Sequence, residues 1–239
     1  MIFVRFSETV IGANTYVLAD AGAKVALVVD TGAGASRWVG PALERRGLTL
    51  GAVLLTHGHA DHVWDSAAVA GDAPVYIPAG DFYRLDDPLS RTALPQLAAA
   101  FQAVGSPSWV RPTNAQILPT SFYGSAQEIV PGVSIRAIAT PGHSEGSTVF
   151  VFDGVVDDGE ELPLAPGQGG HMMLSGDVLF NNGIGRTDLP GSDPRAMGKS
   201  LQTIVREVPG ETWVFPGHGP ATRLDREVNS NPYLRMFLD

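Results

Sequence analysis

The chain of 239 residues contains no cysteine. That absence excludes disulfides, thiolate nucleophiles and every zinc site built on Cys, so any metal must rest on His, Asp or Glu. No run of about 18 uninterrupted apolar residues is present to span a bilayer. A net charge of −9 with no dense Lys/Arg stripe works against phosphate backbones and anionic membrane surfaces. Neither nucleic acid nor membrane is therefore expected as a partner. The first stretch, "MIFVRFSETVIGANTYVLAD", alternates apolar and polar residues as a strand does, and lacks the basic start, apolar middle and cleavage site of a signal peptide. The expectation is a soluble, cytoplasmic protein. No short repeat is found, and the length suits one domain over residues 1–239. Oligomeric state is not readable from the pattern.

What is present reads as alternating strands and helices. Apolar runs at residues 15–19, 24–30 and 52–56 predict strands, with a helix near residues 37–46. The run "VLLT" is continuously apolar, as in a strand buried on both faces. The segment at about residues 79–126 reads as a helical and looped excursion, with "RTALPQLAAAFQAVG" as its clearest helix. Its aromatics, among them Phe82, Tyr83, Phe101 and Trp109, are expected to pack it onto the core, the alternative being a lid or pocket wall. Strand patterns return at residues 133–140, 147–153, 171–177 and 212–218, with an exposed loop expected at about 154–170 from its acid, Gly and Pro content. A helix should start at Asp193 and Pro194. Both halves of the chain read as strands followed by helix and strand. That suits an α/β fold of two β-rich layers packed face to face with helices outside.

The chain has six histidines, and "LLTHGHADHVWD" places three of them, His57, His59 and His62, around Asp61. Crowded imidazoles compete for hydrogen-bond partners and repel one another when protonated, so the spacing points to a cation. Each β pattern of the second half ends on a further candidate ligand: His143 in "TPGH", Asp177 in "LSGD", His218 in "FPGH". His171 falls outside the pattern and is read as an ordinary surface or core residue. The remaining set, His57, His59, Asp61, His62, His143, Asp177 and His218, is too large for one tetrahedral zinc and suits two metals sharing a carboxylate. On an extended segment His57 and His59 face one side and can share a metal with His143. Asp61 and His62, at a helix start, can reach a second metal with His218, and Asp177 would bridge the two.

The stretches "THGHADH", "TPGHSEGS", "SGD" and "PGHGPAT" resemble the metallo-β-lactamase superfamily. "SGDVLFNNGIGRTDLPGSD" and "VFPGHGPATRLDREVNSNPYL" resemble its glyoxalase II-like (hydroxyacylglutathione hydrolase-like) branch. The resemblance runs nearly end to end, weakest across 79–126 and 154–170. It implies an αββα sandwich of two mixed sheets with helices outside, a dinuclear site on the seven positions above, and a supporting acidic residue at Asp30, which reads equally well as a turn-former. It also implies a metal-dependent hydrolase.

Two divalent cations lower the pKa of a water held between them, so that hydroxide exists near neutral pH, and Asp61 and Asp177 can orient it. Zinc is the default metal, with iron or manganese compatible with a His and carboxylate set. The leaving group separates substrate classes. A thiolate leaves unprotonated, whereas an amine needs an acid that the motifs do not supply, so the expected substrate is a small-molecule thioester such as a hydroxyacyl-glutathione. Full-length members of the glyoxalase II branch carry a C-terminal helical domain that helps hold glutathione, and no match to it is expected in this sequence, so the carrier is left open to another small thiol or a coenzyme A-like group. Within "GIGRTD", Arg186 and Asp188 read as an ion pair bracing the loop, the alternative being an Arg that meets an anionic substrate. Rival readings are a mononuclear-iron persulfide dioxygenase, a lactonase or β-lactamase acting on a cyclic substrate, and a binding module with structural metals.

Overall fold

β-branched and aromatic residues dominate the segments that pair into sheets, as a pleated and half-buried surface demands. A computed structural model describes residues 1–7, 11–106 and 108–238. Residues 8–10 of the N-terminal strand pattern and Pro107 of the excursion lie outside the described residues. The first strands are β1 (Ile2–Ser7), β2 (Asn14–Ala19), β3 (Val25–Val29), β4 (Thr49–Leu54), β5 (Val75–Ile77) and β6 (Ala115–Ile117). They are followed by β7 (Gln127–Val130), β8 (Val133–Ala139), β9 (Thr148–Val156), β10 (Asp158–Glu160) and β11 (Gln168–Gly176). The last are β12 (Leu179–Phe180), β13 (Gly183–Ile184), β14 (Trp213–Pro216) and β15 (Thr222–Arg223). The helices are α1 (Ala35–Arg46), α2 (Ala60–Val63), α3 (Ser66–Ala70), α4 (Pro88–Thr92), α5 (Gln96–Ala103), α6 (Pro194–Glu207), α7 (Leu224–Ser230) and α8 (Pro232–Leu238).

One sheet has the order β10-β1-β2-β3-β4-β5-β6 and the other β15-β14-β11-β9-β8-β7. In the first, β3 to β6 run parallel and carry helices over their outer face, which is why β3 and β4 are apolar on both sides. Leu27, Val29 and Leu54 face the second sheet, while Val28, Val53 and Leu55 face outward with Ala35, Val39 and Leu43 of α1. Between the sheets Phe3 meets Phe215 edge-on at 4.7 Å and Phe152 at 5.7 Å. On the far face of the second sheet, Met197, Leu201 and Ile204 of α6 pack with Leu224 and Leu234. The architecture is the αββα sandwich, with mixed sheets, as expected. Among the described residues no helix is long and apolar enough to cross a membrane.

Three expectations differ from the structure. The single helix read across "RTALPQLAAAFQAVG" is broken into α4 and α5. Ala93 takes φ 55 to close α4, and Pro95, lacking an amide hydrogen, keeps Leu94 out of helical backbone. The 79–126 excursion also contributes β6, a three-residue strand too short to show alternation. The loop expected at 154–170 is kept at 161–167 and replaced by strand on either side: β9 runs to Val156, β10 pairs in parallel with β1, and β11 starts at Gln168. Gly169 serves close approach, since a Cβ there would lie 2.0 Å from the Gly154 carbonyl oxygen.

The start of α6 falls where expected. Asp193 accepts from the amides of Arg195 (2.7 Å) and Ala196 (3.2 Å), Pro194 opens the helix, and the Asp193 amide donates to Gly142, next to His143. Gly142 has φ 144, and a Cβ there would lie 2.4 Å from the Met197 nitrogen, so the loop before His143 seats directly on α6. Asp193→Ala should lower stability by about 1 kcal/mol, seen in a thermal melt as a Tm drop of about 2–4 °C. An unchanged Tm would show that the cap is dispensable.

Candidate metal centre

Strand ends converge on one edge of the sandwich. His57 follows β4, His143 follows β8, Asp177 follows β11 and His218 follows β14, while Asp61 and His62 sit in α2. The structure thus brings all seven candidates together. His171 is elsewhere, exposed on β11 and hydrogen-bonded through Nδ1 to Asp153 (2.6 Å).

Among the described residues three groups hold their ligand atoms within 4.8 Å of one another: His57, His59 and His143; Asp61, His62 and His218; and Asp30, His57 and His62. In the third, Asp30 Oδ2 is already engaged by His62 Nδ1 and the Thr56 hydroxyl, which leaves the first two as the triads open to a cation. His59 Nδ1 lies 2.8 Å from His143 Nε2, and His62 Nε2 lies 3.2 Å from His218 Nε2. Asp177 sits between the triads, Oδ2 at 3.5 Å from both His143 Nε2 and His218 Nε2 and Oδ1 at 3.3 Å from His62 Nε2. Asp61 Oδ2 lies 3.3 Å from His218 Nε2.

Hydrogen bonds outside the cluster fix where the lone pairs point. The Arg186 carbonyl can only accept, so His143 Nδ1–H donates to it (2.9 Å) and Nε2 is left bare. His62 Nδ1–H donates to Asp30 Oδ2 (2.9 Å). The Thr56 hydroxyl donates to the same oxygen (2.8 Å) and so accepts from His57 Nδ1–H (3.0 Å), which turns the lone pair of His57 to Nε2. Asp30 therefore sets two imidazoles, one directly and one through Thr56, and its Oδ1 also accepts from the Thr56 amide (2.8 Å). It does so from φ 53, a left-handed backbone that Asp tolerates better than most residues. The two sequence readings of Asp30 describe one residue: it makes the turn and it holds the ring.

The residues fit cations. His57 Nε2 and Asp177 Oδ1 are buried with no hydrogen-bond partner, an expensive state for a polar atom that a metal ion relieves. A Cβ on Gly217 would lie 2.2 Å from Asp177 Oδ1 and 2.7 Å from His62 Cε1, so glycine keeps that space free of side chain. The two triads differ electrically. Burial, then the neighbouring imidazoles, hold His57 well below its usual 6.5, and burial with His143 pushes His59 down to about 3. Burial also opposes charge on His62 and His218, but Asp177 and Asp61 outweigh it and raise both. Asp61 is held down to about 2 against the pull of burial, by His62 and by its hydrogen bond from His218. His62 and His218 depress Asp177 in the same way. His57 and His59 are thus neutral rings, whereas His62 and His218 favour positive charge beside them, as protons or as a metal.

A cleft of about 240 Å³ opens on the centre, with Leu94, Phe180, Ile184 and Leu189 as apolar walls and Arg186 among its lining residues. Arg186 and Asp188 pair bidentately (2.9 Å twice). Both are mostly exposed, which makes the pair a weak brace.

Sequence reasoning missed Asp65 and Asp81. Asp65 Oδ2 accepts from the amides of Gly34 and Ser36 (3.0 Å each) and from the Ser36 hydroxyl (2.7 Å), docking the start of α1 behind α2. Asp81 is wholly buried beside the loops of His57, His59 and His143. Neither stands in a motif that marks it.

The family model of the Metallo-beta-lactamase superfamily matches residues 9–156. The chain belongs to that superfamily. Metallo-beta-lactamase folds imply divalent metal binding, which agrees with the donor set just described. The chain is 30% identical over 247 residues to an uncharacterized protein of Mycobacterium tuberculosis, covering 98% of each. It is 29% identical over 219 residues to the hydroxyacylglutathione hydrolase GloC of Haemophilus influenzae, covering 88% of each. The BLEG-1 B3 metallo-beta-lactamase structure superposes with a TM-score of 0.75 at 28% identity, over 98% of this chain and 99% of that one. TTHA1623 in a di-iron-bound form gives 0.70 at 27% identity, over 96% and 98%.

Proposed function

We propose that this metallo-hydrolase superfamily member is a dinuclear hydrolase of small thioesters, with hydroxyacyl-glutathione as the reference substrate. The observation that carries the reading is Asp177 placed between two triads, with His59, His143, Asp61, His218 and Asp177 itself lining one cleft and His57 and His62 buried beside them. His57, His59 and His143 would hold one cation, Asp61, His62 and His218 the other, and Asp177 both. When bound, such cations would supply hydroxide near pH 7 by lowering the pKa of water, and would polarise a carbonyl oxygen. Zinc is our first choice, and the resemblance to di-iron-bound TTHA1623 supports iron as well.

The chain's own residues do the rest. Asp61 and Asp177, with depressed pKa values, remain carboxylates that accept hydrogen bonds and aim a water at the substrate. The apolar walls exclude bulk solvent from the acyl group. Among the described lining residues there is no Lys, Tyr or Glu to protonate an amine as it leaves. A thiolate needs no such donor, and the similarity to GloC favours the same class. The partner is then a small molecule, in keeping with a net charge of −9 that discourages nucleic acid and anionic membranes.

A second reading, opening of a β-lactam or lactone ring, is favoured by the full-length likeness to BLEG-1. Steady-state rates on S-lactoylglutathione and on a chromogenic β-lactam separate the two. The proposal expects the thioester to be the better substrate by kcat/KM, and the reverse order would overturn it. Oxygen uptake with a glutathione persulfide and one iron per chain would point to a dioxygenase instead.

Arg186, weakly braced and lining the cleft, is the group we assign to an anionic substrate tail. Because lysine cannot reproduce a bidentate contact, Arg186→Lys should raise the KM for S-lactoylglutathione by about three- to tenfold with little change in Tm. An unaltered KM with a lowered Tm would return the residue to a bracing role.

A further inference from the structure

Two loops that carry the first triad are joined through a buried carboxylate outside the ligand set. Asp81 lies in a 3₁₀ turn, Ala79–Asp86, and is fully buried. Its Oδ2 accepts from the amide of Gly58 (2.7 Å), the residue between His57 and His59, and from the hydroxyl of Ser144 (2.6 Å), the residue after His143. Its Oδ1 accepts from the Gly146 amide (2.7 Å) and from Arg84 Nε (3.3 Å). Arg84 is equally buried and extends the junction. Its Nη2 donates to Glu145 Oε2 (2.5 Å) and to the Pro190 carbonyl (2.8 Å), and its Nη1 to the Arg91 carbonyl (3.1 Å). The pair thus reaches the loop whose Arg186 carbonyl holds His143 Nδ1.

The packing leaves little freedom. A Cβ on Gly58 would lie 2.8 Å from Arg84 Cβ, and a Cβ on Gly146 would lie 2.5 Å from the Asp81 nitrogen. A buried Arg–Asp pair gains little net stability from its charges, because desolvation offsets the attraction, so its value here lies in direction. Two oxygens accept from four donors on three segments and hold those segments at one spacing.

We infer that Asp81, seconded by Arg84, is a positioning residue that sets the separation of His59 and His143 and so tunes the first triad for its cation. The inference rests on the proposed metal reading of the triads. Asp81→Asn keeps the shape but turns an NH₂ toward N–H and O–H donors, and the resulting repulsion should part the two loops.

The test is titration of metal-stripped protein with zinc against a chromophoric chelator, with cobalt absorption as a second signature of the ligand geometry. Wild type should take two ions. In Asp81→Asn one binding step should weaken by roughly 10–100-fold, the cost of losing an outer partner of a ligand, while the other stays within about twofold. Ser144→Ala, which removes the hydroxyl's bonds to Asp81 (2.6 Å) and to Ser147 Oγ (2.7 Å) and should fold, should weaken the same step several-fold. Wild-type affinity at both steps in a folded variant, or equal losses at both, would overturn the positioning role. A wild type that binds no metal would instead overturn the reading of the triads.

Discussion

Asp177→Ala should abolish measurable thioester turnover while leaving the sandwich folded. Asp177 is the only carboxylate among the described residues that lies within 3.5 Å of imidazole nitrogens of both triads. Its position is fixed from below: Gly176 has φ 49, a Cβ there would lie 2.6 Å from Thr56 Oγ1, and the Gly217 amide donates to the Gly176 carbonyl (2.7 Å). Removing an outer partner of a ligand costs roughly 10–100-fold, and removing the shared ligand must cost more, on the order of a thousandfold in kcat/KM or beyond. The variant should also carry fewer than two metals per chain, because His62 and His218 lose the anion that balances a cation. Paired measurement of kcat/KM and bound metal checks this. A variant with wild-type turnover would remove Asp177 from the chemistry.

Stripping the metals should abolish turnover and change the shape of the pH–stability curve. Without cations, His62 and His218 have raised pKa values, so their contribution is complete below the unfolded value of 6.5 and is lost as pH rises through the folded values. His57 and His59 are shifted the other way. Their neutral, buried rings cost stability as pH falls below 6.5, when the unfolded chain takes up protons that they refuse. Asp61, at about 2 against its usual 3.8, contributes above 3.8 and loses that contribution only in strong acid. The signs combine into a maximum near pH 6.5 for the stripped chain. Bound cations replace the protons of the second triad, so the Tm gained on adding zinc should grow steadily from pH 5.5 to 8.5. Melts of stripped and reloaded protein across that range decide the matter, and a gain independent of pH would contradict the assignment of His62 and His218 as proton-holding ligands.

What could be read from the sequence was what is local. The spacing of His57, His59, Asp61 and His62 compresses half of the centre into one turn, and the Pro-Gly-His endings announce His143 and His218 at strand ends. Continuous apolar runs likewise gave away β3 and β4, buried on both faces. Asp81 and Arg84 were hidden because their partners stand at positions 58, 144–146 and 190, and nothing in "GDFYRL" distinguishes a buried carboxylate from a solvated one. β6 and β10 were hidden because three residues cannot show a period and sheet-edge pairing decides their state. The helix break at Ala93–Pro95 was visible in principle, and the Leu and Ala around it masked it.

The most direct test of the central claim is metal content measured on the same protein sample as S-lactoylglutathione hydrolysis, followed through loss of thioester absorbance during stepwise reloading of stripped enzyme. The account predicts turnover that rises to its plateau as occupancy approaches about two ions per chain. A plateau at one ion, or full occupancy with no hydrolysis of any thioester offered, would contradict it.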